Sequence, residues 1–150
     1  MPGVTPRRRF FFATAAMLAA GVLAVPGARV WAADGATTVQ AWRAPAGESV
    51  VLGRYYEIQP ADCRALRAPT VALKIRPAQG KLIVNTTTQL PGAPGKCRNV
   101  QVPVTLVRFQ AGQTTGQVEV GWQVFFQSRE KGTQEVRGTV TVTPPNPRLR

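Results

Sequence analysis

The chain has 150 residues, with 19 basic and 7 acidic side chains and a formal charge of +12. It contains two cysteines and no histidine, which excludes Ser-His-Asp and Cys-His catalysis and leaves zinc without its usual ligand set. A positive balance of this size attracts anionic partners at long range but does not specify a fold.

At the N-terminus, Arg7, Arg8 and Arg9 precede an apolar or small run over 10–25 that only Thr14 interrupts. Val30, Trp31 and Ala32 then offer small or apolar residues for a cut before Ala33. These are the parts of a secretory signal peptide, so 1–32 is expected to be removed. The run is short and rich in Ala and Gly, whereas a membrane span needs about 20 apolar residues. An uncleaved anchor is the alternative. Arg7-Arg8-Arg9-Phe10-Phe11 resembles the twin-arginine (Tat) export motif, with Pro6 where Ser or Thr is usual. That resemblance implies a bacterial-type exporter and a chain able to fold before crossing; a Sec signal with three arginines is the other route. Loss of 1–32 removes four arginines and no acid, lowering the formal charge from +12 to +8. What remains suits one domain with its own core.

The mature chain opens with a short strand over 37–42, carrying Val39 and Trp42, and Pro45 and Gly47 punctuate it. A β-branched and aromatic run over 49–58 predicts a second strand, with Gly53 placed for a bulge. Alternation there puts one of Tyr55 and Tyr56 inside and the other outside. The stretch 59–69 lacks periodicity and is expected to hold a helical turn over 62–66. Residues 70–76 alternate, with Val71, Leu73 and Ile75 on one side. After a turn over 77–80, a strand over 81–87 sets Leu82 and Val84 on the face opposite Lys81, Ile83 and Asn85. Pro and Gly make 88–96 a surface loop. A long strand over 100–109 follows, in which Pro103 argues for an edge position or an irregularity. The firmest pattern is 117–127, where Val118, Val120, Trp122, Val124 and Phe126 share one face. A turn with Gly132 leads to 134–143, where Val136, Val140 and Val142 repeat the pattern, and the pair reads as a hairpin. The prolines of 144–150 end the ladder in a basic tail. About seven strands over 33–143 predict an all-β, antiparallel immunoglobulin-like sandwich, with a small barrel as the alternative.

Pro77-Ala78-Gln79-Gly80-Lys81-Leu82 resembles the turn and strand of bacterial Ig-like and cadherin-like modules, and Phe109, Gly112, Gly116 and Val140-Thr141-Val142 sit at comparable places. The resemblance spans 70–143. Val118 stands where the family has Asp, so no calcium ligand carries over, and Ala111 replaces the Pro that follows the aromatic. The resemblance implies a sandwich used for adhesion, spacing or binding outside the cytoplasm. Such folds host many functions, so the function must come from a site.

No pair among Asp34, Glu48, Glu57, Asp62, Glu119, Glu130 and Glu135 has a spacing that recommends paired-carboxylate chemistry, and nothing marks Ser49 or Ser128 as a nucleophile. No Gly-rich loop opens a helix to cradle phosphate. Asn85-Thr86-Thr87 matches a glycosylation sequon but reads as a polar strand end. The chain is therefore expected to be non-enzymatic, with no metal and no cofactor. Cys63 and Cys97 have one possible intrachain pairing, and an exported chain favours it. The bond would close a loop of about 35 residues and add ~3–4 kcal/mol in the loop-entropy model. It would also bring together Arg64 and Arg67, beside Cys63, with Lys96 and Arg98, beside Cys97, as a candidate site for an anionic ligand. The expected function is that of a periplasmic or secreted binding or structural module for an anionic envelope component or a protein partner. The alternative is an inhibitor or accessory subunit that inserts the 88–96 loop into an envelope enzyme. An export signal makes nucleic acid a poor partner.

Overall fold

The computed structural model describes residues 35–92 and 95–145. The expected leader and the tail beyond Pro145 lie outside the described residues. The described residues fall within one compact unit.

Nine strands follow in order: β1 (Gly35–Pro45), β2 (Ser49–Tyr55), β3 (Ile58–Gln59), β4 (Arg64–Ala65), β5 (Thr70–Ile75), β6 (Lys81–Gln89), β7 (Val102–Gln110), β8 (Gly116–Phe125) and β9 (Thr133–Thr143). One sheet has the order β1-β9-β8-β5, a second β2-β7-β6, and β3 pairs only with β4. Seven long strands thus make the expected immunoglobulin-like sandwich, and a two-residue hairpin is added between β2 and β5. Every ladder is antiparallel except β1–β9, in which Gly35 pairs with Thr133 and Pro45 with Thr143.

The two sheets share a core because their strands alternate. Val118, Val120, Trp122 and Val124 of β8 and Val136, Val140 and Val142 of β9 face Leu52, Val107 and Phe109 of the other sheet. Trp122 is fully buried, lies 5.6 Å from Trp42 between ring centroids, and donates its Nε1–H to the Tyr55 hydroxyl at 2.9 Å. That bond crosses between the sheets and satisfies the indole where water cannot reach it. Thr105 Oγ1 makes a second crossing, donating to the Pro69 carbonyl at 2.6 Å. A Cβ on Gly138 would meet the Trp42 ring at 2.6 Å and the Gln40 carbonyl as well, so a glycine is what lets β1 and Trp42 close over β9.

Several expectations need correction. The register of β5 slips between Leu73 and Ile75, which turns Ile75 onto the outer face, against Gly121. Gly53 marks the slip predicted in β2. Residues 58–65 form the β3–β4 hairpin where a helical turn was expected over 62–66. Strand β6 continues through Thr88 to Gln89, and Val84 is 37% exposed because β6 lies at an edge. Phe126 falls past the end of β8 and is half-buried. Tyr55 and Tyr56 are both half-buried, so neither stands out in solvent. Pro103 lies in the middle strand of its sheet, yet the β2 ladder ends at Thr105 and leaves β7 only one neighbour there, so a missing N–H costs nothing. The opposite face of β7 is buried too. Val102, Val104 and Leu106 form a small second core under Tyr56, Ile58, Ala65 and Val100.

Candidate functional site

Three connections leave the same end of the sandwich: 56–69 between β2 and β5, 90–101 between β6 and β7, and 126–132 between β8 and β9. No strand ladder joins these loops to one another; side chains do.

Cys63 and Cys97 are bonded, with their Cα atoms 5.2 Å apart. Cys63 sits in the left-handed region at φ 56°, a conformation non-glycine residues seldom adopt, at the tip of the β3–β4 hairpin. Cys97 ends a short 3-10 turn, Gly95–Cys97, and is buried. Beside the bond, Lys96 Nζ donates to the Ala61 carbonyl at 3.0 Å, a contact between residues 35 positions apart. The bond and this contact tie the first loop to the second.

The four cations expected here are all exposed, and the structure uses them differently. Lys96 reaches across to the partner loop. Arg64 stays on its own hairpin, donating to Gln59 Oε1 at 2.7 Å and lying 3.9 Å from Asp62 Oδ2. That exposed pair is worth little in stability but offsets part of the charge. Arg98 Nε turns back to the Gly95 carbonyl at 3.3 Å. Arg67 follows the hairpin with an exposed side chain.

Sequence reasoning missed the residue that ties in the third loop. Glu57 is 1% exposed, and its carboxylate accepts the backbone N–H of Gln127 at 2.6 Å and of Ser128 at 3.1 Å. Burial alone pushes this carboxyl up, but the Gln127 and Ser128 bonds and the Lys131 cation outweigh it and hold the group below the ordinary value of 4.5. A carboxylate in the apolar run Tyr55-Tyr56-Glu57-Ile58 was the available signal, since a buried charge requires donors. Its donors lie 70 and 71 residues away, which no local pattern reveals. Lys131 stands over the Phe126 ring at 5.3 Å. Burial also raises the Tyr55 phenol, with the Trp122 hydrogen bond acting against it.

The result is one end of the domain where three loops are cross-tied and Arg64, Arg67, Lys96, Arg98, Arg129 and Lys131 are exposed. Two amides already engage Glu57, which makes it a structural acceptor. Among the described residues, no group of three His, Cys, Asp or Glu side chains could hold a metal ion.

No protein-family model matches the chain, and no curated protein does. A chain in the solved structure of PbICP-C in complex with falcipain-2 is similar at 12% identity, over 73% of this chain and 91% of that one, with a TM-score of 0.32. A likeness at that level carries no argument about this protein.

Proposed function

We propose that this domain is a non-enzymatic binding module that works in an oxidising compartment outside the inner membrane and offers its tied loop end to an anionic partner of the cell envelope. The observation that carries this reading is the staple itself: the Cys63–Cys97 bond with Lys96 held on the Ala61 carbonyl. Cations on two loops are thereby held in a fixed relation, which reduces the ordering cost of binding. The excess of basic residues supplies the long-range attraction. The leader-like pattern of 1–32 supports export, as does a disulfide, which persists where thiols are not kept reduced. Among the described residues no helix is long and apolar enough to cross a membrane.

The test is binding of the chain from Ala33 onward to phosphatidylglycerol vesicles over a range of salt. Affinity is expected to fall as salt rises, because screening acts over about 8–10 Å near physiological ionic strength. Arg67→Glu/Lys96→Glu should bind about tenfold more weakly. Unchanged binding by that variant would remove the loop end from the account. Export is checked by intact mass, expected to begin at Ala33; a mature chain that keeps Arg7 to Arg9 would end the leader reading.

A second reading, an inhibitor or accessory subunit, rests on Leu90. This side chain is 58% exposed directly after the last residue of β6, so an apolar group projects where the second loop begins. Stoichiometric loss of one envelope hydrolase's activity, abolished by Leu90→Asp, is the expected sign.

A further inference from the structure

The charge of this chain is segregated. From Cys63 to Val118 there are eight cations and no acid. That interval includes β5, β6 and β7, and it places Lys74, Arg76 and Lys81 around the turn between β5 and β6, at the opposite end from the staple. All three side chains are exposed.

Among the described residues, strands β5 and β6 are the last of their respective sheets, so both sheets are open on this side. Natural edges are usually blunted by short length, bulges, prolines or charged side chains, lysine above all. The β5 edge is blunted: its register slips at Lys74 and Pro77 follows it. The β6 edge carries a charge only at its first residue, Lys81. Lys81–Gln89 pairs with β7 through nine consecutive positions without a slip, contains no proline, and is rich in β-branched residues. Nine residues give an edge about 30 Å long, on which roughly every second backbone N–H and C=O points away from β7. Ile83 and Val84 are 45% and 37% exposed on its two faces, and a concavity of about 370 Å³ lies at its start, lined by Leu73, Pro77, Leu82 and Ile83 together with Arg76 and Lys81.

We infer that β6 is a strand-addition site for an extended, acid-rich segment of a partner protein. The free edge supplies main-chain pairing, Ile83 and Val84 supply apolar contacts for alternate side chains, and Lys74, Arg76 and Lys81 select for Glu or Asp. A second copy of this chain would bring its own positive charge to the same edge, so the charge favours a partner of opposite sign. The site is independent of the loop end and stands or falls apart from it.

The probe is a dye-labelled nine-residue peptide alternating Glu and Val, read by fluorescence anisotropy with the full chain and by hydrogen exchange of the β6 amides. The peptide should slow exchange within Lys81–Gln89. The same peptide N-methylated at alternate residues keeps its charge but cannot pair, and should bind at least about tenfold more weakly. Lys74→Glu/Lys81→Glu should weaken binding about fivefold, and Arg67→Glu/Lys96→Glu should leave it within about twofold. Equal binding by the N-methylated peptide would reduce the effect to charge alone and overturn the inference. So would slowed exchange at β1 instead of β6. Protection of β6 in a self-associated chain without peptide would make a second copy the occupant.

Discussion

At the end where the chain turns between β1 and β2 and between β7 and β8, backbone groups dominate the closure. Gly47 N–H donates to the Gly112 carbonyl at 3.0 Å, Ala111 N–H to the Glu48 carbonyl at 2.8 Å, and Ala46 N–H to the Thr143 carbonyl at 2.9 Å. Gly47 sits at φ 79°, a conformation that glycine adopts without a Cβ penalty. At the opposite end, a disulfide, a lysine and a buried glutamate hold three loops together. The first kind of closure depends on the fold and on no ionisable group. The second depends on particular side chains, so it responds to redox state, pH and single substitutions.

The comparison can be tested by removing what the two ends share and then what divides them. Trp122→Ala should have the largest effect, about 3–5 kcal/mol in denaturant unfolding, because it empties the fully buried centre of the core. Both ends should then lose hydrogen-exchange protection together. A loss under ~1 kcal/mol would mean that the core can collapse around the gap. Cys63→Ser/Cys97→Ser should cost ~3–4 kcal/mol, from a bond that joins residues 34 apart. Exchange should quicken in 56–69 and 90–101 while the amides of Gly47 and Ala111 stay protected; equal loosening at both ends would erase the distinction.

Glu57→Gln comes next, at about 2–3 kcal/mol, since an amide replaces a charged acceptor of two N–H groups. Its pH signature has a definite sign. The folded-state value lies below the ordinary 4.5, so the contribution is fully present above about pH 4.5 and is lost as pH falls through the folded value. Unfolding measured from pH 6 downward should show this loss in the parent chain and a shallower one in Glu57→Gln. Gly47→Ala should have the smallest effect, about 1–2 kcal/mol from the strained backbone, and the shift should be the same at every pH and in reductant.

The sandwich was legible where one face of a strand is buried and the other wet. Val118, Val120, Trp122 and Val124 announce β8 because the period of two survives unbroken for its whole length. Ile75 was misassigned because a single slip at Lys74 reverses every side chain beyond it, and the alternation in sequence carries no mark of the slip. The strand over 100–109 was legible, but the second core on its outer face was not: Val102, Val104 and Leu106 are covered there by Ile58 and Ala65 of the β3–β4 hairpin, which has no periodicity to announce it. The Cys63–Cys97 pairing was legible because two cysteines permit only one intrachain bond. Glu57 was not, because its partners are backbone amides and any residue type supplies those.

The single parallel ladder has a mechanical consequence. β1 starts beside the first residue of β9 and ends beside its last, so the described domain begins at the loop end and finishes at the turn end. Tension applied between those two points would run along the β1–β9 pair. Its eleven paired positions would be loaded in shear all at once, whereas an antiparallel pair pulled at one end opens like a zip. Pulled between the start of β1 and the end of β9, the described domain should therefore yield only when all of these pairs give way together.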